Sequence, residues 1–137
     1  MTDTVVFDTE PLIAYLDDEP GSDTVETWID RVAAGEVDGY ISPVTKTEVV
    51  YVGARVGFRR EALLDSLRRL ADLGVSVYEA ENCWETAATL KADHTMALGD
   101  AYALATARAV DGTLLVGADS DFADVPVAVE RFREDPA

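Results

Sequence analysis

The sequence predicts one domain with a three-layer α/β/α sandwich around a central, mainly parallel sheet. Three observations predict it. Short β-branched and aromatic runs, clearest at Thr4–Phe7 and Thr113–Val116, are continuously apolar after an opening threonine and so read as strands covered on both faces. Helical stretches long enough to serve as crossovers separate them. No repeat, low-complexity tract or linker divides the 137 residues.

Thr4–Phe7 is the first strand and runs straight into Asp8. A short helix from Pro11 to Leu16 follows, then a turn at Asp17-Asp18-Glu19-Pro20-Gly21. Ser22 or Asp23 can cap the next helix, which carries Val25, Trp28, Ile29 and Val32 on one face and ends near Gly35. Tyr40-Ile41 is a short strand. Ser42-Pro43 is a helix start, with serine as N-cap and proline in the first turn, and that helix stops at about Val56-Gly57. Another helix spans Arg59 to Leu73, with Leu63, Leu64, Leu67 and Leu70 as its apolar stripe and Gly74 as its C-cap. Val75–Tyr78 reads as a strand, Glu81–Asp93 and Asp100–Val110 as helices, Thr113–Val116 as a buried strand, and Val125–Val129 as a last short strand.

Composition narrows the setting. Apolar residues make up 48% of the chain, enough for an ordinary core. No run of about 18 apolar residues suggests a membrane span, and no basic stretch precedes the first apolar run as a secretory signal would require. The lone Cys83 cannot form an internal disulfide and suits a reducing cytoplasm; beside Trp84 it reads as a small core residue. Acidic residues number 27 against 11 basic ones, for a formal charge of −16, and only Lys46 and Lys91 are lysines. Such an acidic, lysine-poor chain suggests a halophilic protein. Near 1 M salt the Debye length is about 3 Å and self-repulsion is largely screened. An acidic module for a basic partner is the other reading.

Most of so many carboxylates must be solvated, so the informative ones lie in apolar company. Asp8 and Asp119 follow buried strands, at the sheet edge where open α/β sheets bind ligands. Asp100 opens the small, apolar helix Ala101–Ala107. Glu48 lies among Val44, Val49, Val50, Tyr51 and Val52. Each has a plain alternative: Asp8 and Asp100 as helix caps, Glu48 on a solvated face, Asp119 as a turn residue in Asp119-Ser120-Asp121. Asp8 could equally be a nucleophile. If the four converge, two like charges at 4 Å repel by about 4 kcal/mol at an effective dielectric of 20. Either protons or a cation must then sit among them. All-oxygen ligands favour Mg²⁺ or Mn²⁺. With one histidine and one cysteine a usual zinc site is not expected, and His94 reads as a surface loop residue.

The blocks VVFDTEPLIAYL, SPVTKTEVVYVGAR and LGDAYALATARAVDGTLLVGADSDF together resemble the PIN domain, and more narrowly the VapC toxins of VapBC toxin–antitoxin pairs. The resemblance covers essentially the whole chain. It implies an Mg²⁺- or Mn²⁺-dependent ribonuclease whose acidic site carries over to Asp8, Glu48, Asp100 and Asp119, with Asp121 as a fifth member. Asp8, Asp100, Asp119 and Asp121 would be the metal ligands, and Glu48 would complete the cluster or orient the attacking water. It also implies an RNA substrate, an antitoxin partner and a homodimer. Thr9 keeps the small hydroxyl residue that commonly follows the first aspartate. Gly117 departs from the family, which often has Ser or Thr two residues before the fourth acid, and Ala118 replaces a frequent polar or basic residue. Arg55, Arg59, Arg60, Arg68 and Arg69 fall within fifteen residues; Arg55 and Arg59 are candidate substrate contacts, and ion pairing with Glu61, Asp65 and Asp72 is the plain alternative. VVFDTEPL also resembles the nucleophile strand of haloacid-dehalogenase-like phosphatases, but Glu10 stands where that family has a second aspartate. A non-catalytic PIN-fold binding module is the remaining alternative.

Overall fold

The computed structural model describes residues 3–134. Five strands, β1 (Asp3–Phe7), β2 (Val37–Ile41), β3 (Val75–Val77), β4 (Thr113–Val116) and β5 (Val129–Arg131), form one sheet in the order β3-β2-β1-β4-β5. All four pairings are parallel. Parallel neighbours need crossovers. Those from β1 to β4 run through α1 (Thr9–Leu16), α2 (Ser22–Ala33), α3 (Pro43–Arg55), α4 (Arg60–Leu73), α5 (Trp84–Asp93) and α6 (Leu98–Val110). The chain steps outward from β1 to β3, then returns to the other side of β1. The direction therefore reverses between β1 and β4, the point at which open α/β sheets form a ligand crevice.

The strand pleat sorts the core into two layers. Val5 and Phe7 of β1 and Leu115 of β4 face a cluster with Leu12, Val25, Ile29, Val49, Leu67 and Leu70 from α1 to α4. Val6, Leu114 and Val116 point the other way, onto Ala87 and Leu90 of α5 and Ala101, Leu104 and Ala105 of α6. Each fully buried side chain the size of Phe7 contributes about 1.5–3 kcal/mol. Cys83 is buried in the second layer, and that burial pushes its thiol pKa up. His94 is exposed, and no helix among the described residues is long and apolar enough to cross a membrane.

Local chemistry sets most boundaries. The Ser42 hydroxyl accepts the Thr45 N–H at 3.0 Å, with Pro43 opening α3. Gly74 ends α4 in the left-handed conformation, at φ 115°. Several elements differ from the sequence expectation. The N-cap of α2 is Gly21, at φ 89°, rather than Ser22 or Asp23. The predicted Glu81 start is a 3₁₀ turn, Ala80–Asn82, and α5 begins at Trp84. Strand β2 begins at Val37, because Asp38 and Gly39 continue the pairing with β1 despite their low strand propensity. Strand β3 stops at Val77, although the Tyr78 N–H still bonds Ile41 O at 2.9 Å. Leu64 leaves the apolar stripe of α4 and is exposed.

The last strand is shifted furthest. Val125 and Val127 pack on the core, but Pro126 has no N–H for a ladder and pairing starts only at Val129. The −16 charge makes a further expectation checkable: the melting temperature should rise from dilute buffer to molar KCl. A lower value in molar KCl would refute the halophilic reading.

Candidate active site

The carboxyl edge of the sheet gathers the predicted acids. Asp8 leaves β1 and stands at the N-cap position of α1, yet its side chain makes no cap hydrogen bond. It is buried, and its pKa is pushed up to about 7. Burial is the largest cause; the Thr9 backbone N–H opposes it, and the charges of Glu48, Asp119 and Glu10 add to the rise. The Thr9 hydroxyl, also buried, donates to Glu48 Oε1 at 2.7 Å. Tyr51, one turn along α3, donates to Glu48 Oε2 at 3.3 Å. Glu48 therefore faces inward, held at both oxygens.

Asp100 does not open α6. The helix starts at Leu98 with Ala97 as N-cap, so Asp100 lies inside the first turn. The cap comes from elsewhere: Asp121 Oδ2 accepts the Ala97 N–H at 3.3 Å. Asp119 does double duty, because its Oδ1 accepts the Asp121 N–H at 2.9 Å and caps the 3₁₀ turn Ser120–Phe122. The turn reading of Asp119 is thus met, and the same residue also lines the acidic cleft.

Ligand oxygens of Asp100, Asp119 and Asp121 lie within 4.8 Å of one another. Asp100 Oδ2 is buried and has no hydrogen-bond partner among the described residues. Its neighbours Asp119 and Asp121 are acceptors like itself, so the partner it needs must come from outside the cluster: a shared proton, a water or a cation. Its pKa is accordingly raised to about 10, first by burial, then by Asp121, to which only its protonated form can hydrogen-bond, by the charges of Asp8 and Asp119, and by Asp119 as a further acceptor for that proton. A hard divalent cation suits this set: oxygen donors only, excess negative charge and one orphaned buried carboxylate oxygen.

Asp8, Thr9, Glu10, Glu48, Asp100, Asp119 and Arg133 line one cleft of about 270 Å³, together with Ile13, Glu19 and Val52. All four predicted acids are among them, and Asp121 adjoins through Asp100 and Asp119. Arg55 and Arg59 do not line it. Arg55 lies over the Tyr51 ring at 5.1 Å, one residue removed from Glu48, and Arg59 is the exposed N-cap of α4. Lys46 and Lys91 are exposed and outside the cleft, so no lysine stands where a phosphatase of the haloacid-dehalogenase type would need one.

Sequence reasoning missed Glu10, Glu19 and Arg133. Glu19 and Arg133 had no signal in the sequence; the signal for Glu10 was Gly117. A β-carbon there would overlap the Glu10 carboxyl group, so the missing family hydroxyl is space that Glu10 fills. Gly99 is cut back in the same way beneath the Glu48 carboxylate. Gly99→Ala should therefore displace Glu48, a flexible side-chain end, with little loss of stability, since Ala gains about 1 kcal/mol of helix propensity. Melting temperature should stay within a few degrees, while any activity that uses Glu48 falls; intact activity would show that the position of Glu48 is immaterial.

The PIN domain family matches residues 5–128. The chain belongs to the PIN domain family. A search of curated proteins finds no sequence match. Among solved structures, this PIN domain is similar to a toxin–antitoxin complex from Klebsiella pneumoniae, with 25% identity, 96% of this chain and 99% of that one covered, and a TM-score of 0.70. It is also similar in fold to VapBC2 from Rickettsia felis bound to a promoter DNA fragment, with 18% identity, 93% and 98% coverage, and a TM-score of 0.72. FitAcB from Neisseria gonorrhoeae has the same fold at 21% identity, 93% and 97% coverage, and a TM-score of 0.64.

Proposed function

We propose that this PIN domain is a metal-dependent endoribonuclease, the VapC-type toxin of a toxin–antitoxin pair. The observation that carries the reading is the convergence of Asp8, Glu48, Asp100 and Asp119 on one cleft, with a buried Asp100 oxygen that has no hydrogen-bond partner among the described residues. The toxin–antitoxin complexes among the similar structures support the biological setting.

Asp8, Asp100, Asp119 and Asp121 would hold Mg²⁺ or Mn²⁺; Asp121 lies beside Asp100 and Asp119 and also accepts the Ala97 N–H at the start of α6. When bound, the cation lowers the pKa of a coordinated water and offsets charge on the phosphate oxygens. Thr9 and Tyr51 fix Glu48 so that its carboxylate can orient that water. Hydrolysis of this kind uses no 2′-hydroxyl, so products carry 5′-phosphate and 3′-hydroxyl ends. Arg55 reaches the rim through Tyr51, and Arg59 is an outer contact for phosphates. An antitoxin that covers the cleft, a homodimer and a cytoplasmic setting complete the reading.

The direct test is cleavage of single-stranded RNA with and without Mn²⁺. Cleavage should require the cation, stop with EDTA and survive a zinc-selective chelator. Loss with the zinc chelator alone would overturn the oxygen-ligand site, and no cleavage under any divalent cation would overturn the nuclease.

A further inference from the structure

We propose that Arg133 is the phosphate-binding residue of the cleft, placing its guanidinium against a substrate phosphodiester beside the four acids. The inference rests on the nuclease reading for the identity of the anion as RNA.

The placement follows from β5. Its register, Val116 opposite Arg131, carries the chain past the same sheet edge as Asp8 and Asp119. The Phe132 N–H bonds Val116 O at 2.9 Å, and the buried Phe132 ring lies 4.7 Å from the Arg133 guanidinium. Arg131, two residues earlier, donates to Gly117 O at 2.6 Å, so the strand end is pinned to the strand β4 exit that leads to Asp119.

The guanidinium is nearly buried, with 10% of the side chain exposed. Its Nε and Nη2 both reach Glu10 Oε2, each at 3.1 Å, and its Nη1 lies 3.0 Å from Glu19 Oε1 and 3.2 Å from Pro20 O. Two donors sharing one carboxylate oxygen is a poorer match than the paired oxygens of a phosphate, which fit the guanidinium fork side-on. Nε, Nη1 and Nη2 are each engaged, so a phosphate that pairs side-on does so by displacing the singly bound Glu10 oxygen, while Glu19 and Pro20 keep the guanidinium in place.

Charge supplies the need for it. Asp8, Glu10, Glu19, Glu48, Asp100 and Asp119 all line the cleft, and Arg133 is the one cation among its described lining residues. One divalent ion offsets two of those charges. A phosphodiester adds another, and without a cation it would enter a strongly negative cleft.

The test compares wild type, Arg133→Gln, Arg133→Lys and Arg31→Gln. Arg31 pairs with Asp3 and Glu36 at the opposite sheet edge, so its loss matches the charge change away from the cleft. The readouts are anisotropy with a short fluorescent single-stranded oligoribonucleotide in Ca²⁺, KM and kcat in Mn²⁺, and melting temperature. Arg133→Gln should weaken binding and raise KM about tenfold or more, and lower the log–log salt slope of binding by about 0.7. Arg133→Lys should recover part of the affinity, and Arg31→Gln should change neither. A lower melting temperature with unchanged KM and salt slope would overturn the proposal and leave Arg133 as a tail anchor. If wild type binds RNA through Arg133 but cleaves none under any divalent cation, the nuclease reading fails and this one stands.

Discussion

Asp100→Asn should abolish Mn²⁺-dependent RNA cleavage while leaving the protein folded and, without metal, more stable than wild type at pH 8. The two halves have one cause. Asp100 carries a buried oxygen surrounded by the acceptors Asp119 and Asp121. As a carboxylate it needs a donor or a cation there. Asparagine keeps the shape and supplies an amide N–H₂ that can donate to those neighbours, so the metal-free fold loses a conflict. The same donor is a poor cation ligand. Partners that merely orient a ligand typically cost 10–100-fold when lost, so removal of a ligand itself should cost roughly a hundredfold or more. Asp8→Asn should behave alike in activity, because Asp8 is buried in the same cleft. Cleavage rates with Mn²⁺ and thermal melts with EDTA check both halves. Cleavage at the wild-type rate would sink the site assignment, and a melt well below wild type would sink the account of Asp100 as a source of strain.

That the same aspartates could be picked from sequence reflects how the fold makes its site. A parallel sheet puts every strand's carboxyl end on one edge, so apolar runs ending in Asp8 and Asp119 announce their destination without any long-range information. Ser42-Pro43 and Gly74 were legible for the same local reason, a cap chemistry that acts within one turn. What was not legible depends on contacts across the chain. The start of α6 at Leu98 rather than Asp100 is set by Asp121, 24 residues beyond the N–H it caps. Arg133 meets Glu10 across 123 residues, and the strand that delivers it is displaced by Pro126, whose apolar neighbours Val125 and Val127 mimic a strand. Gly117 was noticed as a departure from the family. Its meaning, room for the Glu10 carboxyl group, appears only when α1 is folded over the end of β4. The arginine cluster at 55–69 gave no sign of Arg133 for the converse reason. Proximity in sequence concentrates charge on α3 and α4, but the cleft takes its cation from the far end of the chain.

Metal binding and protonation should compete openly in this cleft, which gives the second large effect. The folded-state pKa of Asp8 is about 7 and that of Asp100 about 10, both above the ordinary value of 3.8. Between pH 4 and 7 the folded chain therefore retains protons that the unfolded chain has released. Stability from these groups is fully present below about pH 4 and is lost as pH rises through 7, and further toward 10 for Asp100. The metal-free protein should melt lower at pH 8 than at pH 5, opposite to a protein stabilised by salt-bridged carboxylates. A bound cation reverses the sign, because it takes the place of the protons. At a hundred times its Kd, Mn²⁺ adds about 2.7 kcal/mol, a rise on the order of 10 °C for a domain of this size, and the rise should grow from pH 5 to pH 8. Titration calorimetry at pH 7 in two buffers of different ionisation enthalpy should register proton release on Mn²⁺ binding, and Asp100→Asn should diminish it. A Mn²⁺-induced shift independent of pH, with no proton released, would mean that the cation binds elsewhere on this acidic surface and that the protons held by Asp8 and Asp100 do not mark its site.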